Sequence, residues 1–261
     1  PNNCIFLVDT YDSLQGVRHA VEVGRRLRAQ GHEMVGIRLD SGDLAYLSLE
    51  ARRILDEGGF PNAVIVGSND LDEYLIESLK RQGAQINVWG VGTHLVTGYG
   101  QPALGGVYKL AAIRRPGGPW QYRIKLSEQA AKINTPGLLQ VRRYRDGGAY
   151  AADMIYDELG GIAAPAAMVD PLDFTRRKAF AADAPHEDLL VPVFRQGQPV
   201  YACPPLADLR QRTQAQLARF HAGIKRFEHP HQYPVGLEQG LHDRKTALIL
   251  RARERRDEME A

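Results

Sequence analysis

Charged and hydroxyl side chains cluster around the end of one short apolar run in this chain. The run Met34–Asp40 carries Arg38 and Asp40, and Ser41 and Gly42 follow it directly. If the run is a strand, Arg38 and Asp40 lie on the same side of it, because side chains alternate between the two faces. An unpaired charge on a buried strand is costly. The spacing therefore leaves two readings open, a structural ion pair and a site that binds an anion or a sugar.

Polar or glycine residues also follow three other apolar runs. The run Ile5–Asp9 ends in a carboxylate, Ala63–Ser68 leads into Asn and Asp, and a fourth run supplies Gly90, Gly92 and Thr93. Each piece alone has a structural explanation, since Asp and Ser cap helices and Gly-x-Gly is common in loops. Glycines and a hydroxyl also suit close approach of the backbone to a phosphate. The clustering at several run ends predicts a ligand site.

Stretches with helical spacing separate these runs and would position the cluster. Ser13–Ala29 places apolar residues on one face and has Gly31 as its C-cap, and Asp43–Asp56 and Asp70–Arg81 follow. The runs start at residues 5, 34, 63 and 86, a spacing typical of parallel strands joined by crossover helices. We expect an α/β fold, either half of a (β/α) barrel or a doubly wound sheet. Ligands in such folds bind at the carboxyl ends of the strands.

The pattern changes after residue 104, where turn residues separate short runs and antiparallel pairing is expected. The predicted strands are Gly106–Ile113, Gln121–Leu126, Leu138–Tyr144 and Tyr150–Ile155. Residues 157–203 show weak periodicity, 204–227 predict a helix, and 241–261 predict a solvated helix. The predicted domains are therefore 1–113, which holds the site, and 114–261, a β-rich segment with C-terminal helices.

The composition is that of a globular protein. The chain has 261 residues, which is long enough to bury a sizeable core. Of these residues 44% are hydrophobic and 25% are charged, as is typical of globular proteins. The formal net charge of +2 gives no reason to expect a nucleic-acid partner. No apolar run reaches the ~20 residues that a membrane span needs. Cys4 and Cys203 are too few and too far apart for a disulfide scaffold or a cysteine zinc site, so we expect a cytoplasmic protein.

Several segments together resemble the nicotinate phosphoribosyltransferase family. The similarity covers about residues 4–145 and is most specific at 36–44, where Arg38-Leu39-Asp40-Ser41-Gly42-Asp43 follows a strand. The other matching segments are 7–12, 91–93, 106–110, 125–127 and 136–137, with a faint match at 231–237.

The resemblance implies a fold and a reaction. The fold is that of type II phosphoribosyltransferases, a partial (β/α) barrel followed by a smaller β-rich and helical portion. The reaction joins nicotinate to phosphoribosyl pyrophosphate, releases pyrophosphate and forms nicotinate mononucleotide for NAD biosynthesis and salvage. ATP would be a co-substrate whose hydrolysis is coupled to turnover, Mg²⁺ would accompany the pyrophosphate, and the protein would be a homodimer.

The resemblance also implies roles for the clustered residues. Asp40 would stand near the oxocarbenium-like ribose, and the planar guanidinium of Arg38 would bind the nicotinate carboxylate or the pyrophosphate. Asp9 would organise Arg38. The remaining residues would cradle the 5′-phosphate and fix the ribose: Ser41, Gly42, Gly90, Gly92 and Thr93. No side chain is assigned to a resident metal.

Some family features lie outside the matching segments. The histidine that ATP phosphorylates lies upstream of the first strand in the family, and none of His19, His32 and His94 stands in that motif. Basic residues tend to follow Pro-Gly in the family, whereas Leu138 and Leu139 follow it here. Because a strand-like run begins almost at once, we expect a C-terminal portion of a longer protein. Without the N-terminal half that completes the site, we expect it to bind phosphoribosyl ligands poorly and not to couple to ATP.

Three alternatives stay open on the sequence. The first is a related transferase that acts on nicotinamide or quinolinate. The second is a non-catalytic fragment, or one subunit of a split enzyme. The third is a plain phosphate-binding (β/α) domain, which the loss of the Arg38 side chain would test.

Overall fold

The computed structural model describes the backbone of residues 3–260 and the side chains of residues 3–254. The chain divides into two units, of which the first ends at Gly106 and the second begins at Val107. The boundary expected from the sequence lies after residue 113. None of the helices in the described part of the chain is long and apolar enough to cross a membrane.

The first unit is built on a parallel sheet, as the strand–helix alternation predicts. Its strands lie side by side in chain order, each parallel to the next. They are β1 (Cys4–Leu7), β2 (Met34–Leu39), β3 (Val64–Gly67) and β4 (Val88–Trp89). The helices are α1 (Ser13–Ala29), α2 (Leu44–Glu57), α3 (Glu73–Arg81) and the single turn α4 (Thr93–Val96). The predicted α/β character is confirmed.

Aspartates begin three of these helices. The carboxylates of Asp12, Asp43 and Asp72 accept hydrogen bonds from backbone N–H groups in the first turn, at 2.7, 3.1 and 2.7 Å. The prediction that Asp70 begins α3 is wrong, because Asp70 has a left-handed backbone (φ 43°) in the preceding turn. Gly31, with φ 81°, follows the end of α1 as predicted.

The two faces of the parallel sheet differ. Ile37, Leu39 and Ile65 are fully buried in a core that includes residues of the helices. On the opposite face Leu7 and Val88 are 54% and 46% exposed. The expectation of a buried strand therefore holds for the core face of β2, whereas its second face is open to solvent at Arg38.

Gly16 allows α1 to lie close to the end of β1. We therefore expect that adding a single methyl group at Gly16 strongly reduces stability. A Cβ at Gly16 would lie 2.0 Å from the backbone oxygen of Val8. Replacing Gly16 by alanine should lower the free energy of unfolding of the first unit by about 3 kcal/mol, because backbone atoms would have to shift. Urea unfolding followed by Trp89 fluorescence in a Trp120→Phe variant measures this loss. Gly100→Ala is the control, since its Cβ would meet nothing within 4 Å.

The second unit is built on a six-stranded sheet. The strands of this unit are β5 (Ala112–Ile113), β6 (Gln121–Tyr122), β7 (Leu139–Asp146), β8 (Ala149–Asp157), β9 (Ala167–Val169), β10 (Arg177–Ala179), β11 (His186–Asp188), β12 (Phe194–Arg195), β13 (Gln198–Pro199) and β14 (Val235–Glu238). The spatial order in the six-stranded sheet is β10, β9, β14, β8, β7 and β11. Two small antiparallel pairs accompany this sheet, β5 with β6 and β12 with β13. The helices are α5 (Leu206–Ala218) and α6 (Gln239–Glu260).

Local pattern predicts this unit less well. The hairpin of β7 and β8 is confirmed, but the predicted strands over 106–113 and 121–126 shrink to two residues each because only those residues pair. The predicted helix over 204–227 stops at Ala218 and gives way to a 3-10 turn at Ala222–Lys225. The antiparallel pairing expected after residue 104 is confirmed for β5 with β6 and for β7 with β8. The later strand β14, for which the sequence made no prediction, runs parallel to β8.

Candidate functional site

Arg38 and Asp40 meet at the carboxyl end of β2, on the open face of the parallel sheet. The guanidinium Nη2 lies 3.4 Å from the Asp40 Oδ1. A third side chain connects them more closely: the Ser68 hydroxyl accepts from Arg38 Nε at 2.8 Å and donates to Asp40 Oδ1 at 2.5 Å. Ser68 directly follows β3, which pairs with β2, so the parallel register brings these three residues together.

Asp9, at the end of the first apolar run, joins the same cluster. Its Oδ2 accepts from the backbone N–H of Asp40 and from the hydroxyl of Ser41, both at 2.7 Å. The expectation that Asp9 organises Arg38 is wrong, because the hydrogen bonds of Asp9 go to the segment that follows β2. Asp9 thus fixes the backbone at Asp40 and the orientation of Ser41.

The charged pair is half exposed and not buried. The side chains of Arg38 and Asp40 are 49% and 42% accessible to solvent. An ion pair so exposed contributes little to stability, about 0–1 kcal/mol. A structural role alone therefore explains the pair poorly, and the exposed guanidinium and carboxylate are free to bind a polar or anionic ligand.

Gly90 lies directly against Ser68, whereas Gly92 and Thr93 lie farther along the chain. A Cβ on Gly90 would be 3.1 Å from the Ser68 Cβ, and the Gly90 N–H donates to the backbone oxygen of Gly67 at 2.8 Å. Gly92 precedes the single turn α4 that Thr93 begins, and both are exposed. Among the described residues no hydrogen bond links Gly92 or Thr93 to Arg38 or Asp40.

Ser41 and Gly42 form the turn between β2 and α2. The helix begins at Leu44 with Asp43 as its N-cap, close to the predicted start at Asp43. Gly42 occupies a left-handed turn with φ 75°, a conformation that favours glycine. Ser41 and Gly42 are exposed at the edge where Asp40 lies.

Sequence reasoning missed Ser68 and the strained turn after it. Asn69 and Asp70 both have left-handed backbones, at φ 98° and 43°, which is uncommon for two consecutive residues other than glycine. Such strain concentrates at functional sites. The polar Ser-Asn-Asp segment at the end of β3 was a usable clue, but only the pairing of β2 with β3 shows that Ser68 contacts Arg38.

The described residues contain no group of three or more His, Cys, Asp or Glu side chains arranged to hold a metal ion. Asp9 and Asp40 are the carboxylates of the cluster, and Asp9 Oδ2 is already occupied by two donors. A cation bound here would need most of its ligands from a substrate, which is the usual arrangement for Mg²⁺ with phosphates.

A separate cleft lies in the second unit. It has a volume of about 930 Å³ and is lined by residues of the β9–β10 turn and of the segment before β14, including Arg176, Arg177, Lys178 and His231. Asp170 and Asp173 line the same cleft. Neighbouring acids and bases of this kind offset each other, so the cleft has no strong preference for one sign of charge.

Comparison with known proteins shows similarity to one enzyme family. Residues 140–245 match the model of the nicotinate phosphoribosyltransferase C-terminal domain. The nicotinate phosphoribosyltransferase of Bacillus subtilis is 40% identical over 98% of this chain and 53% of its own length. The human nicotinate phosphoribosyltransferase is 34% identical over 90% of this chain and 45% of its own length.

Solved structures agree with these sequence matches. The crystal structure of human nicotinic acid phosphoribosyltransferase matches with a TM-score of 0.70 and 27% identity over 95% of this chain and 47% of that one. The nicotinate-nucleotide pyrophosphorylase of Pyrococcus furiosus, at 18% identity and a TM-score of 0.50, shares the fold. The chain spans about half the length of the curated relatives it matches. The chain is similar along its length to nicotinate phosphoribosyltransferases and carries the C-terminal domain of that family at residues 140–245.

Proposed function

We propose that the protein carrying this chain transfers a phosphoribosyl group to nicotinate, forming nicotinate mononucleotide and pyrophosphate in NAD biosynthesis and salvage. The Arg38–Ser68–Asp40 cluster, at the carboxyl edge of a parallel sheet, carries the proposal. It places a cation and an anion side by side on an exposed edge, as an anionic sugar phosphate and a charged pyridine require. The names of the relatives support the same activity.

The chemistry demands two opposite charges at the reacting centre. The bond between ribose C1 and the pyrophosphate oxygen breaks, its electron pair leaves with pyrophosphate, and the nicotinate ring nitrogen forms the new bond to C1. Positive charge develops on the ribose as the leaving group departs. The Asp40 carboxylate would stabilise that charge and hold the ribose hydroxyls, since preorganised charges are most effective where charge develops.

Arg38 would bind the anionic partner. Its planar guanidinium suits a carboxylate or a phosphate, so we assign it to the nicotinate carboxylate or the pyrophosphate. The exposed backbone around Gly42 and Gly92 and the hydroxyls of Ser41 and Thr93 would surround the 5′-phosphate.

Mg²⁺ fits this site only as a companion of the substrate. With few free carboxylate oxygens in the cluster, Asp40 would be its protein ligand and pyrophosphate would supply the others. When bound, the ion would neutralise charge on the leaving pyrophosphate. ATP would serve as a co-substrate whose hydrolysis drives the transfer.

The open face of the parallel sheet suits the proposed fold. Leu7, Arg38 and Val88 lie on that face, as inward-facing residues of a partial (β/α) barrel would. We propose that the four strands belong to the partial barrel of a type II phosphoribosyltransferase. The remaining half of the family fold and a second subunit of a homodimer would complete the site.

Turnover of three pyridines tests the proposal. The natural protein that contains these 261 residues would be incubated with phosphoribosyl pyrophosphate, Mg²⁺ and ATP, together with nicotinate, nicotinamide or quinolinate. Chromatography would then identify the mononucleotide. We expect product from nicotinate, with ATP increasing the rate. Faster turnover of another pyridine would assign the protein to the related activity, and no product from any of them would overturn the proposal.

A further inference from the structure

Ser68 is a buried hydroxyl that lies between the two charged side chains assigned to the reaction. The residue is 4% exposed, although Arg38 and Asp40 beside it are half exposed. Its hydrogen bonds to them, at 2.8 and 2.5 Å, are both shorter than the direct Arg38–Asp40 contact at 3.4 Å. The two charges are therefore held in relation to each other mainly through this hydroxyl.

The chemistry of the three groups fixes the direction of each hydrogen bond. A guanidinium can only donate and a carboxylate can only accept, so Ser68 must accept from Arg38 and donate to Asp40. The hydroxyl uses Nε of the guanidinium and Oδ1 of the carboxylate. In the described part of the chain, Arg38 Nη1 and Asp40 Oδ2 make no hydrogen bond and are left for a ligand.

Ser68 is itself held from two sides. Its backbone N–H donates to the Leu39 oxygen at 3.0 Å, which ties it to the end of β2. Gly90, which directly follows β4, lies against it, since a Cβ on Gly90 would be only 3.1 Å from the Ser68 Cβ. Because Gly90 has no side chain, Ser68 has room to lie in this position.

We propose that Ser68 is a positioning residue for the transfer reaction, one that orients Arg38 and Asp40 toward the substrates and that depends on glycine at position 90. The inference rests on the proposed function and adds a residue to it. Ser68 acts through its two neighbours and need not touch the substrate.

Replacing Ser68 by alanine tests the role. We expect kcat/KM for nicotinate to fall roughly 100-fold, since small misplacements of catalytic groups carry losses of that size. Ser48→Ala is the matched control: its hydroxyl is also buried, donates to Ala45 at 2.9 Å and accepts from the Gln85 N–H at 3.0 Å. It should lower the melting temperature to a similar extent and leave both kcat and KM unchanged.

A double-mutant cycle separates positioning from general destabilisation. In an Arg38→Ala background, Ser68→Ala should lower kcat/KM much less than in the wild type, because residues that act as a unit are not additive. Gly90→Ala should reproduce part of the Ser68→Ala loss. If the wild type is active, a fully active Ser68→Ala variant would overturn this inference and leave the proposed function intact. Additive losses of Ser68→Ala and Arg38→Ala in the cycle would do the same. An inactive wild type would overturn the proposed function and, with it, this role.

Discussion

Replacing Asp40 by asparagine is expected to lower kcat for nicotinate mononucleotide formation about 100- to 1,000-fold, the usual cost of removing one preorganised electrostatic group. Asparagine keeps an oxygen that can accept from Ser68 and loses the charge that would stabilise the ribose. The change should hardly affect folding, because Asp40 is 42% exposed and its direct contact with Arg38 is long. Steady-state kinetics and a thermal melt of the natural protein measure both effects.

Asp43 provides the matched control for Asp40. It is an exposed carboxylate three residues away that caps α2 through the N–H of Tyr46. Asparagine caps helices about as well as aspartate, so Asp43→Asn should preserve stability and activity. Equal losses in the two variants would show that overall charge, and not the position of Asp40, determines the rate.

Removing the carboxylate of Asp157 is expected to produce the largest loss of stability, about 3–5 kcal/mol for the second unit. Asp157 is 1% exposed and accepts from Tyr122 Oη at 2.5 Å and Arg244 Nη1 at 2.6 Å. It also accepts from the N–H of Leu138 at 2.9 Å. Burial and the neighbouring carboxylate raise the pKa of the Tyr122 hydroxyl, which keeps it a donor. Alanine would leave the Tyr122 hydroxyl and the Leu138 N–H without this acceptor and would remove the carboxylate that pairs with Arg244.

Urea unfolding followed by Trp120 fluorescence measures this loss. Trp89 and Trp120 are the two tryptophans of the chain and lie in different units, so a Trp89→Phe variant reports on the second unit alone. The control is Glu187→Ala, which breaks a partly exposed pair with Arg145 and should reduce stability by less than about 1 kcal/mol. A loss in Asp157→Ala no larger than that of the control would contradict this account.

Short-range sequence features predicted the elements of the first unit well. The bounds of α1 follow from apolar residues at helical spacing, with a capping aspartate before them and Gly31 after them. Each apolar run contains a strand. These strands could be predicted because β-branched residues favour strands and can be recognised within a short stretch of sequence. The same-side placement of Arg38 and Asp40 followed from alternation alone.

Long-range pairing could not be predicted in the same way. β14 lies between β8 and β9, although about 80 residues separate it from β8, and no local pattern specifies that insertion. The run 106–113 has the composition of a strand, yet Val107 and Tyr108 are 80% and 97% exposed because no strand in the described part of the chain pairs with them. A strand needs a partner, and a single sequence does not show which segment supplies it.

In the candidate site, too, the residues marked by a local pattern could be predicted and the long-range contacts could not. Its charged residues could be found from the sequence because their types and spacing are unusual. Ser68 could not, because one serine gains its role only when β2 and β3 lie side by side. The sequence also points to Asp9 as a member of the cluster, but it predicts the wrong partner, Arg38 in place of the Asp40 N–H. The choice between these two partners depends on the orientation of the Asp9 side chain, which the sequence does not show.

A crystal structure of the natural protein with bound nicotinate mononucleotide tests the central claim most directly. We predict the ribose hydroxyls within hydrogen-bonding distance of Asp40, with Ser68 still between Arg38 and Asp40. A ribose bound away from Asp40, for example in the cleft beside Arg176 and His231, would contradict the account.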